Sequence, residues 1–281
     1  MTERIHVLLP VHNRKEITRR FVECLRAQTY SNFHLILIDD GSTDATAEMV
    51  LESIPGATVI RGTGAWWWAG SLQQGLDRLR KLNPAPSDVV LFINDDVAFA
   101  PDFLSAGISI LRENQDSLLL ARIRDPETGS ILESGVHADV RHLSFVIATQ
   151  PDRINCLSTK GLFARWAVVE SVGDFHPRIL PHYLSDFEWT MRASRRGIRC
   201  ITDRRLVLDS PDKGASGYWD FTKVDELREY LKLVFSNRSH ANPFYWSSFV
   251  LLTSDWPVIP YRIARVWVRF LGEVFRRALP H

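Results

Sequence analysis

This 281-residue sequence has few cysteines, no long apolar run and almost no net charge. The three cysteines, Cys24, Cys156 and Cys200, lie far apart and form no C-x-x-C pair. They cannot supply a disulfide framework, so a reducing, cytoplasmic compartment is the expected location. No uninterrupted run of about 20 apolar residues is present, and we therefore expect no membrane-spanning helix. The first apolar run ends at Pro10 and is too short for a signal peptide.

The charge balance excludes another class of protein. Lys and Arg together number 34 against 33 for Asp and Glu, which leaves a net charge of +1. A basic field of the kind that grips nucleic acid is therefore not expected. The phosphate-binding pattern G-x-G-x-x-G does not follow the first apolar run, and this disfavours a dinucleotide-dependent dehydrogenase.

The first half of the chain alternates apolar runs of strand length with segments of helical periodicity. Strands are predicted over 5–9, 34–38, 58–61 and 89–93, and helices over 15–28, from Thr43 or Asp44 to 53, over 71–82 and over 101–114. Such alternation is typical of a mostly parallel sheet that helices cover on both faces. The sequence therefore predicts a Rossmann-like α/β fold.

Polar clusters follow three of these strands: His12–Asn13–Arg14, Asp39–Asp40 and Asn94–Asp95–Asp96. Ligands of parallel sheets bind at the carboxyl ends of the strands, so the clusters are expected to meet at one edge. Carboxylates there suit Mg²⁺ or Mn²⁺, which completes its shell with water and substrate phosphates. The alternative is that the acids cap the following helices or face solvent.

The second half is less regular. Strands are predicted over 118–123, 131–136 and 143–148, helices over 166–172, 186–196 and 226–235, and a turn-rich loop over 209–217. With no linker or repeat evident, we predict one domain over 1–240, with halves at 1–115 and 116–240, and a helical C-terminal extension over 241–281.

Three motifs in the first half, PVHNR at 10–14, LIDDGSTDAT at 37–46 and INDDV at 93–97, resemble the nucleotide-sugar half of family 2 glycosyltransferases, which have the GT-A fold. The second half carries further segments similar to that family: KGLF at 160–163, VGDF at 172–175 and LPHYLSDFE at 180–188, followed by Arg192 and Gly197. The stretch TGAWWWAGSLQQG and the variant HYLSD resemble the rhamnosyltransferase-like branch.

The resemblance implies roles for the acids that follow the strands. Asp39 would accept a hydrogen bond from the base of the donor, which suits a UDP- or TDP-linked sugar. Asp95 would contact the ribose, and Asp96 would bind the metal ion. Because this chain has Asn94–Asp95–Asp96 in place of Asp-x-Asp, the motif supplies one clear metal ligand.

Asp186 matches the catalytic base of the family. A base on the opposite face of the donor sugar would take the proton from the acceptor hydroxyl, and direct displacement would invert the anomeric centre. Ser185–Asp186 stands where many relatives have Glu–Asp, which leaves Asp186 as the matching acid. The structural alternative is an N-cap, since Asp is common just before a helix.

Other residues are predicted to contact the donor. They are Pro10, His12, Asn13, Arg14, Trp67 and Lys160, and the loop residues Lys213 and Gly214 are expected to close over it. Arg14 has a second interpretation as a surface ion pair. Of the three consecutive tryptophans Trp66 to Trp68, at least one is expected to line the pocket, and the alternative is that they pack in the core beneath the sheet.

The resulting hypothesis is an inverting, metal-assisted glycosyltransferase of cell-surface polysaccharide synthesis, with a glycan or lipid-linked acceptor. The alternative is a catalytically silent member that acts as a nucleotide-sugar-binding or assembly subunit. The tail from residue 242 mixes aromatic residues with arginine, a composition that suits the membrane interface. Three roles stay open for this tail: peripheral contact at the cytoplasmic face of the membrane, a helical cap on the core, and a homodimer interface.

Overall fold

A computed structural model of the chain describes residues 3–210 and 221–279. Its strands are β1 Ile5–Val11, β2 Phe33–Asp39, β3 Thr58–Arg61, β4 Val89–Phe92, β5 Ser117–Arg124, β6 Ile131–Glu133, β7 Val136–Asp139, β8 Ser144–Ile147, β9 Leu162–Arg165 and β10 Arg199–Asp209. The α-helices are α1 Lys15–Arg26, α2 Thr46–Ser53, α3 Trp67–Leu82, α4 Phe103–Glu113, α5 Trp166–Val172, α6 Ser185–Arg195, α7 Leu227–Val234, α8 Pro243–Thr253 and α9 Ile259–Ala278.

One sheet forms the centre of the molecule, in the order β10-β5-β9-β4-β1-β2-β3, with β6 paired to β5. Strands β1 to β4 run parallel to one another, as the alternation of strands and helices predicts. Strands β7 and β8 form a separate hairpin. A mixed α/β fold with a mostly parallel sheet is thus confirmed.

The strands are apolar on both sides, since each face of the sheet is covered by helices. On one face, alternate residues such as Val7 and Leu9 pack with Phe21 of α1. On the other face, Leu8 and its neighbours pack against Leu72 of α3 and the helices of the second half. Pro10 is tolerated in the central strand β1 because β4 pairs with β1 only as far as Leu8, so no ladder bond is lost on that side.

Strand β9 runs antiparallel to both of its neighbours, β4 and β5. Because of this reversal, β9 begins at the edge where β4 ends, which we call the carboxyl edge of the sheet. The residues just before β9 are therefore delivered to the same edge as the loops that follow β1, β2 and β4. This strand was not predicted from the sequence, and neither was β10.

Two expected elements differ from the structure. The third helix begins at Trp67 rather than Ser71, and the strand expected over 131–136 is divided into β6 and β7 at Gly135. Gly135 has a φ of 93°, in the region that glycine adopts without strain, and such a residue interrupts a strand. Asp209 lies within β10 rather than in a loop, while Lys213 and Gly214 fall outside the described residues.

The C-terminal helices are attached through α8, which packs against α6, with α9 lying on α8. Phe249 of α8 is fully buried, and its ring lies 5.8 Å from that of Phe145 in β8. Within the described part of the chain, no helix combines the length and the apolar character needed to cross a membrane.

Candidate active site

The loop after β1 is tied to the loop after β2. The side-chain oxygen of Asn13 accepts hydrogen bonds from the amide and the hydroxyl of Thr43, and the Asn13 amide donates to Ser42 Oγ at 2.9 Å. His12 Nδ1 lies 2.6 Å from the carbonyl oxygen of Asp40. Asn13 has a φ of 51°, which asparagine tolerates better than most residues. These contacts place His12 and Asn13, both exposed, at the carboxyl edge. Pro10 is buried within β1 before this loop.

The two acids after β2 have different surroundings. Asp39 is buried at the end of the strand, where Oδ1 accepts the Ser42 amide at 2.8 Å and Oδ2 lies 4.0 Å from Arg61 Nη1. The carboxylate of Asp40 accepts three backbone amides, from Gly64, Trp66 and Trp67, at 2.8–3.1 Å. Asp40 therefore fixes the entry to α3, which is not the helix that directly follows it in the chain, whereas Asp39 stays a candidate for recognition of the base.

Asp95 is buried, and its environment explains its ionisation. Its Oδ2 accepts the Thr18 hydroxyl at 2.9 Å, and its Oδ1 lies 3.2 Å from Arg14 Nε. Loss of hydration is the largest effect, and it raises the pKa of Asp95 to about 6 despite the nearby guanidinium. Arg14 also lies 3.5 Å from Asp96, so it forms a half-buried bridge between the two acids rather than a surface ion pair.

Asp96 is the acid of this loop that faces a cationic group from the second half. Lys160 Nζ lies 3.3 Å from Asp96 Oδ1 and donates to Ser210 Oγ at 2.7 Å. In residues 3–210 and 221–279, no three acidic, histidine or cysteine side chains come together in a way that could hold a metal ion.

The three tryptophans separate by role. Trp66 and Trp68 pack against the core beneath the sheet, and Trp68 Nε1 donates to Thr159 Oγ1 at 2.9 Å. Trp67 has a φ of 57°, unusual for a bulky residue, and its ring faces His182 at 6.2 Å and the Arg238 guanidinium at 5.6 Å. The turn into α3 thus directs one of three consecutive rings away from the core.

Asp186 lies in the first turn of α6, where Oδ1 accepts the amide of Phe187 at 2.9 Å. It is not the N-cap residue, which is Leu184. Burial is the largest effect on Asp186 and raises its pKa to about 6, which leaves the carboxyl group mostly ionised at neutral pH. Glu188 points elsewhere: it is buried and forms a two-point contact with Arg192 in the same helix, at 2.9 Å.

Residues 156–160, which we call the pre-β9 segment, connect these groups. The Leu157 amide donates to Thr190 Oγ1 of α6 at 3.0 Å, and that hydroxyl donates to the Asp186 carbonyl oxygen at 2.9 Å, while Lys160 reaches Asp96. Lys160 is the residue of this segment that the sequence motifs point to. The run of small polar residues before an apolar strand was the available signal, but the reversed direction of β9 could not be deduced from it.

The sequence profile described as "Glycosyl transferase family 2" matches residues 6–154, which is more than half of the chain. The succinoglycan biosynthesis protein ExoW of Rhizobium meliloti is 34% identical over 110 residues, which cover 36% of this chain and 32% of that protein. The amylovoran biosynthesis glycosyltransferase AmsB of Erwinia amylovora is 28% identical over 116 residues, covering 37% and 35%. The chain thus spans about a third of the length of these relatives.

Two solved structures are similar over nearly the whole chain. One is the mannosyltransferase PcManGT from Pyrobaculum calidifontis in complex with GDP-Man and Mn²⁺, at 15% identity and a TM-score of 0.58, covering 99% of this chain and 86% of that one. The other is S. aureus TarS 1-349 in complex with UDP-GlcNAc, at 14% identity and a TM-score of 0.63, covering 96% and 89%. At such identities the similarity is one of fold.

Proposed function

Because the chain belongs to glycosyl transferase family 2, we propose that it transfers a sugar from a nucleotide diphosphate donor to a hydroxyl group of an acceptor. One observation carries the proposal: the pre-β9 segment contacts both α6, which carries Asp186, and the acid Asp96. The Leu157 amide donates to Thr190 Oγ1 at 3.0 Å, and that hydroxyl donates to the Asp186 carbonyl oxygen at 2.9 Å. Three residues further on, Lys160 Nζ lies 3.3 Å from Asp96, so one segment connects the candidate base with the candidate diphosphate-binding acid.

The donor is proposed to lie along the carboxyl edge. Asp39, at the end of β2, would accept from the base of a UDP- or TDP-linked sugar, and Asp95 would contact the ribose. Pro10, His12 and Asn13 would line the same groove at the end of β1. Trp67 would stack against the sugar or the base, since its ring is the one directed away from the core.

A divalent cation, Mg²⁺ or Mn²⁺, fits this site. The Oδ1 atoms of Asp96 and Asn94 are buried and accept no hydrogen bond from the described residues; the Oδ1 of Asp96 has Lys160 Nζ beside it at 3.3 Å. Asp96 would supply one hard oxygen ligand, and the donor phosphates and water would supply others. When bound, the metal would neutralise charge on the diphosphate leaving group. Arg14 and Lys160, both within 3.5 Å of Asp96, add positive charge at the same place.

Asp186 is proposed to act as the general base. Its carboxylate would accept the proton of the acceptor hydroxyl while that oxygen bonds to the anomeric carbon. The bond from the anomeric carbon to the diphosphate oxygen breaks, and its electron pair stays with the phosphate. Attack from the face opposite the leaving group inverts the anomeric centre. A pKa near 6 suits this role, because the group is ionised at neutral pH and still basic.

A transfer assay with UDP-, TDP- and GDP-linked sugars in Mg²⁺ or Mn²⁺ tests the proposal, with donor hydrolysis as the readout when no acceptor is known. We expect one donor to be turned over by the wild-type chain and to raise its melting temperature. Donor binding without turnover under all conditions would instead support a nucleotide-sugar-binding subunit. No binding of any donor would contradict both.

We further propose that the acceptor belongs to a cell-surface polysaccharide, whose growing chain is carried on a lipid. The names of ExoW and AmsB, which concern succinoglycan and amylovoran biosynthesis, support this. A rhamnosyltransferase-like specificity stays a prediction from the tryptophan stretch and the HYLSD motif.

Helix α9 is proposed to contact the membrane surface that carries such an acceptor. Tyr261, Val268, Leu271 and Phe275 are all exposed. At 100° per residue they lie within an arc of about 80°, opposite the buried face that includes Val266. An arginine row borders this apolar stripe on one flank: Arg265, Arg269 and Arg276. An apolar stripe beside cations complements an anionic bilayer, which would place the protein peripherally at the cytoplasmic face.

A further inference from the structure

The ring of Trp67 has a cation beside it that no acidic side chain neutralises. The Arg238 guanidinium lies 5.6 Å from the centre of that ring. Arg238 is exposed, and within residues 3–210 and 221–279 it forms neither a salt bridge nor a hydrogen bond. Guanidinium groups bind carboxylate and phosphate groups through charge-assisted hydrogen bonds. The positive charge at this ring is therefore available to an anionic ligand.

Arg238 is carried by an anchored turn between α7 and α8. On one side of it, the Tyr245 hydroxyl donates to Asn237 Oδ1 at 2.7 Å. On the other side, the Trp246 indole donates to the carbonyl oxygen of His240 at 2.8 Å. Because α8 holds the chain on both sides of Arg238, the backbone of this residue is fixed in place, while its long side chain can adjust to a ligand.

His182 connects this cluster with the helix that carries the candidate base. Its ring lies 6.2 Å from that of Trp67, and its carbonyl oxygen accepts the hydroxyl of Ser185, the first residue of α6, at 2.6 Å. Burial lowers the pKa of His182 to about 4, with the charge of Arg238 as the second cause. The imidazole is thus uncharged at neutral pH, and the guanidinium is the cation of the cluster.

The position of the cluster favours the acceptor as its ligand. Asp186, which is proposed to take the proton of the acceptor hydroxyl, follows His182 by four residues. The donor phosphates have other cations, since Arg14 and Lys160 lie within 3.5 Å of Asp96. The two sugars meet at the bond that forms between them, so an aromatic ring that borders the donor sugar also borders the acceptor.

We propose that Arg238, Trp67 and His182 form an acceptor subsite for a sugar that carries a carboxylate or phosphate group. The inference rests on the proposed glycosyl transfer. The Trp67 ring packs against the sugar, and the guanidinium of Arg238 binds its anionic group. A neutral sugar makes the first contact but not the second, so the subsite selects acidic saccharides.

The test uses three probes: methyl glucuronide, glucose 6-phosphate and the neutral methyl glucoside. Fluorine NMR of the full chain labelled with 5-fluorotryptophan follows their binding, and the Trp67→Phe variant assigns the signal of Trp67. We expect a charged probe at millimolar concentration to shift this signal, with an affinity roughly 10-fold above that of methyl glucoside. Comparison of the glucuronide with the phosphate shows which anionic group is preferred.

Two substitutions of the arginine and one control assign the charge preference. Arg238→Gln should abolish the preference for charged probes, whereas Arg238→Lys, which keeps the charge without the planar fork, should retain part of it. Arg20→Gln is the matched control and should leave the preference unchanged. Arg20 is an exposed arginine of α1, a helix on the opposite face of the sheet from α3 and α6.

Three results would overturn the inference: no response of the Trp67 signal to any probe, equal affinity for charged and neutral probes, or a charge preference that survives in Arg238→Gln. If Arg238→Gln weakens the binding of UDP as much as that of the charged sugars, the arginine serves the donor, and the inference is also wrong. None of these measurements needs turnover, so their outcome is separate from that of the donor assay, which tests the proposed activity.

Discussion

At the scale of single residues, Asp186 decides whether the site is catalytic. The variant Asp186→Asn keeps the shape of the side chain and removes its basicity. We expect turnover to fall by roughly 10²-fold or more, with donor binding close to that of the wild type. Steady-state kinetics together with calorimetry of the donor check both parts. Transfer at the wild-type rate would mean that another residue is the base.

Glu188→Gln is the natural comparison in the same helix, and its effect should be of another kind. Glu188 is buried and bound to Arg192, so the change weakens a charged contact within the core. We expect a loss of about 1–3 kcal/mol of stability and a mild effect on turnover. Of the two variants, Glu188→Gln should therefore have the lower melting temperature and the higher turnover rate.

The pKa of Asp186 also fixes the pH dependence of the reaction. A base must be ionised, and this one loses its proton around pH 6 rather than near 4. The rate should therefore rise with pH through about 6 and level off above 7. The effect of Asp186 on folding stability runs in the opposite direction to its effect on the rate. Because burial disfavours the charged form of Asp186, the free energy of unfolding falls as the pH rises from about 4 to 6 and is constant above that. A profile of kcat/KM against pH that is flat between pH 5 and 7 would refute the assignment.

Asp96 is the residue on which the metal prediction depends. Asp96→Ala removes the acid of this loop that Lys160 contacts, while Asp95 keeps its hydrogen bond from Thr18 and the strand before it stays intact. We expect metal-dependent binding of UDP or TDP to be lost, and the melting temperature without ligand to change little. Calorimetry with and without EDTA tests this. Unchanged, EDTA-insensitive binding by the variant would exclude the role given to Asp96.

At the scale of elements, the reversal at β9 depends on Gly161. Its φ is 92°, and a Cβ atom there would collide with the Leu208 side chain of β10. Gly161→Ala should cost about 1–3 kcal/mol through overpacking and strain, and should displace Lys160 and Thr159 with it. Activity should fall more than the lowered melting temperature explains. Gly129→Ala is a control, because its φ is also positive but no atom lies near its Cβ position.

The sequence predicts the first half of the fold well, because each strand there is a continuous apolar run and each helix has a clear periodicity. It also predicts which of its acids lie at the carboxyl edge, since parallel strands end together. The role of Asp40 was missed because a carboxylate that caps a distant helix start looks the same in sequence as one that awaits a ligand. The contact between Lys160 and Asp96 could not be deduced from the sequence, because it requires the reversed direction of β9.

At the scale of the whole molecule, the apolar stripe of α9 predicts where the protein works. The paired change Val268→Ser and Phe275→Ser removes two exposed apolar side chains and no core contact. It should leave turnover of a soluble donor unchanged and abolish flotation with vesicles that contain anionic lipid. Neutral vesicles should bind the wild type less, because they offer the arginines no anionic headgroup to pair with.

Two other outcomes of this experiment would remove the membrane interpretation. If the wild type stays in the aqueous fraction with both kinds of vesicle, the stripe does not bind lipid. If the wild type is a dimer in sedimentation and the paired variant is a monomer, the stripe is an interface between two copies of the chain.

The place of β9 in the sheet has a consequence for synthesis on the ribosome. Strands β1 to β4 emerge early and can pair with one another, but the neighbour of β4 on its other side is β9, which emerges about 70 residues later. Until then β4 presents an open, apolar edge, and β5 has neither β9 nor β10 beside it. Such edges are templates for pairing between chains. A nascent chain halted before residue 160 should therefore aggregate or recruit a chaperone, and one halted after β10 should not.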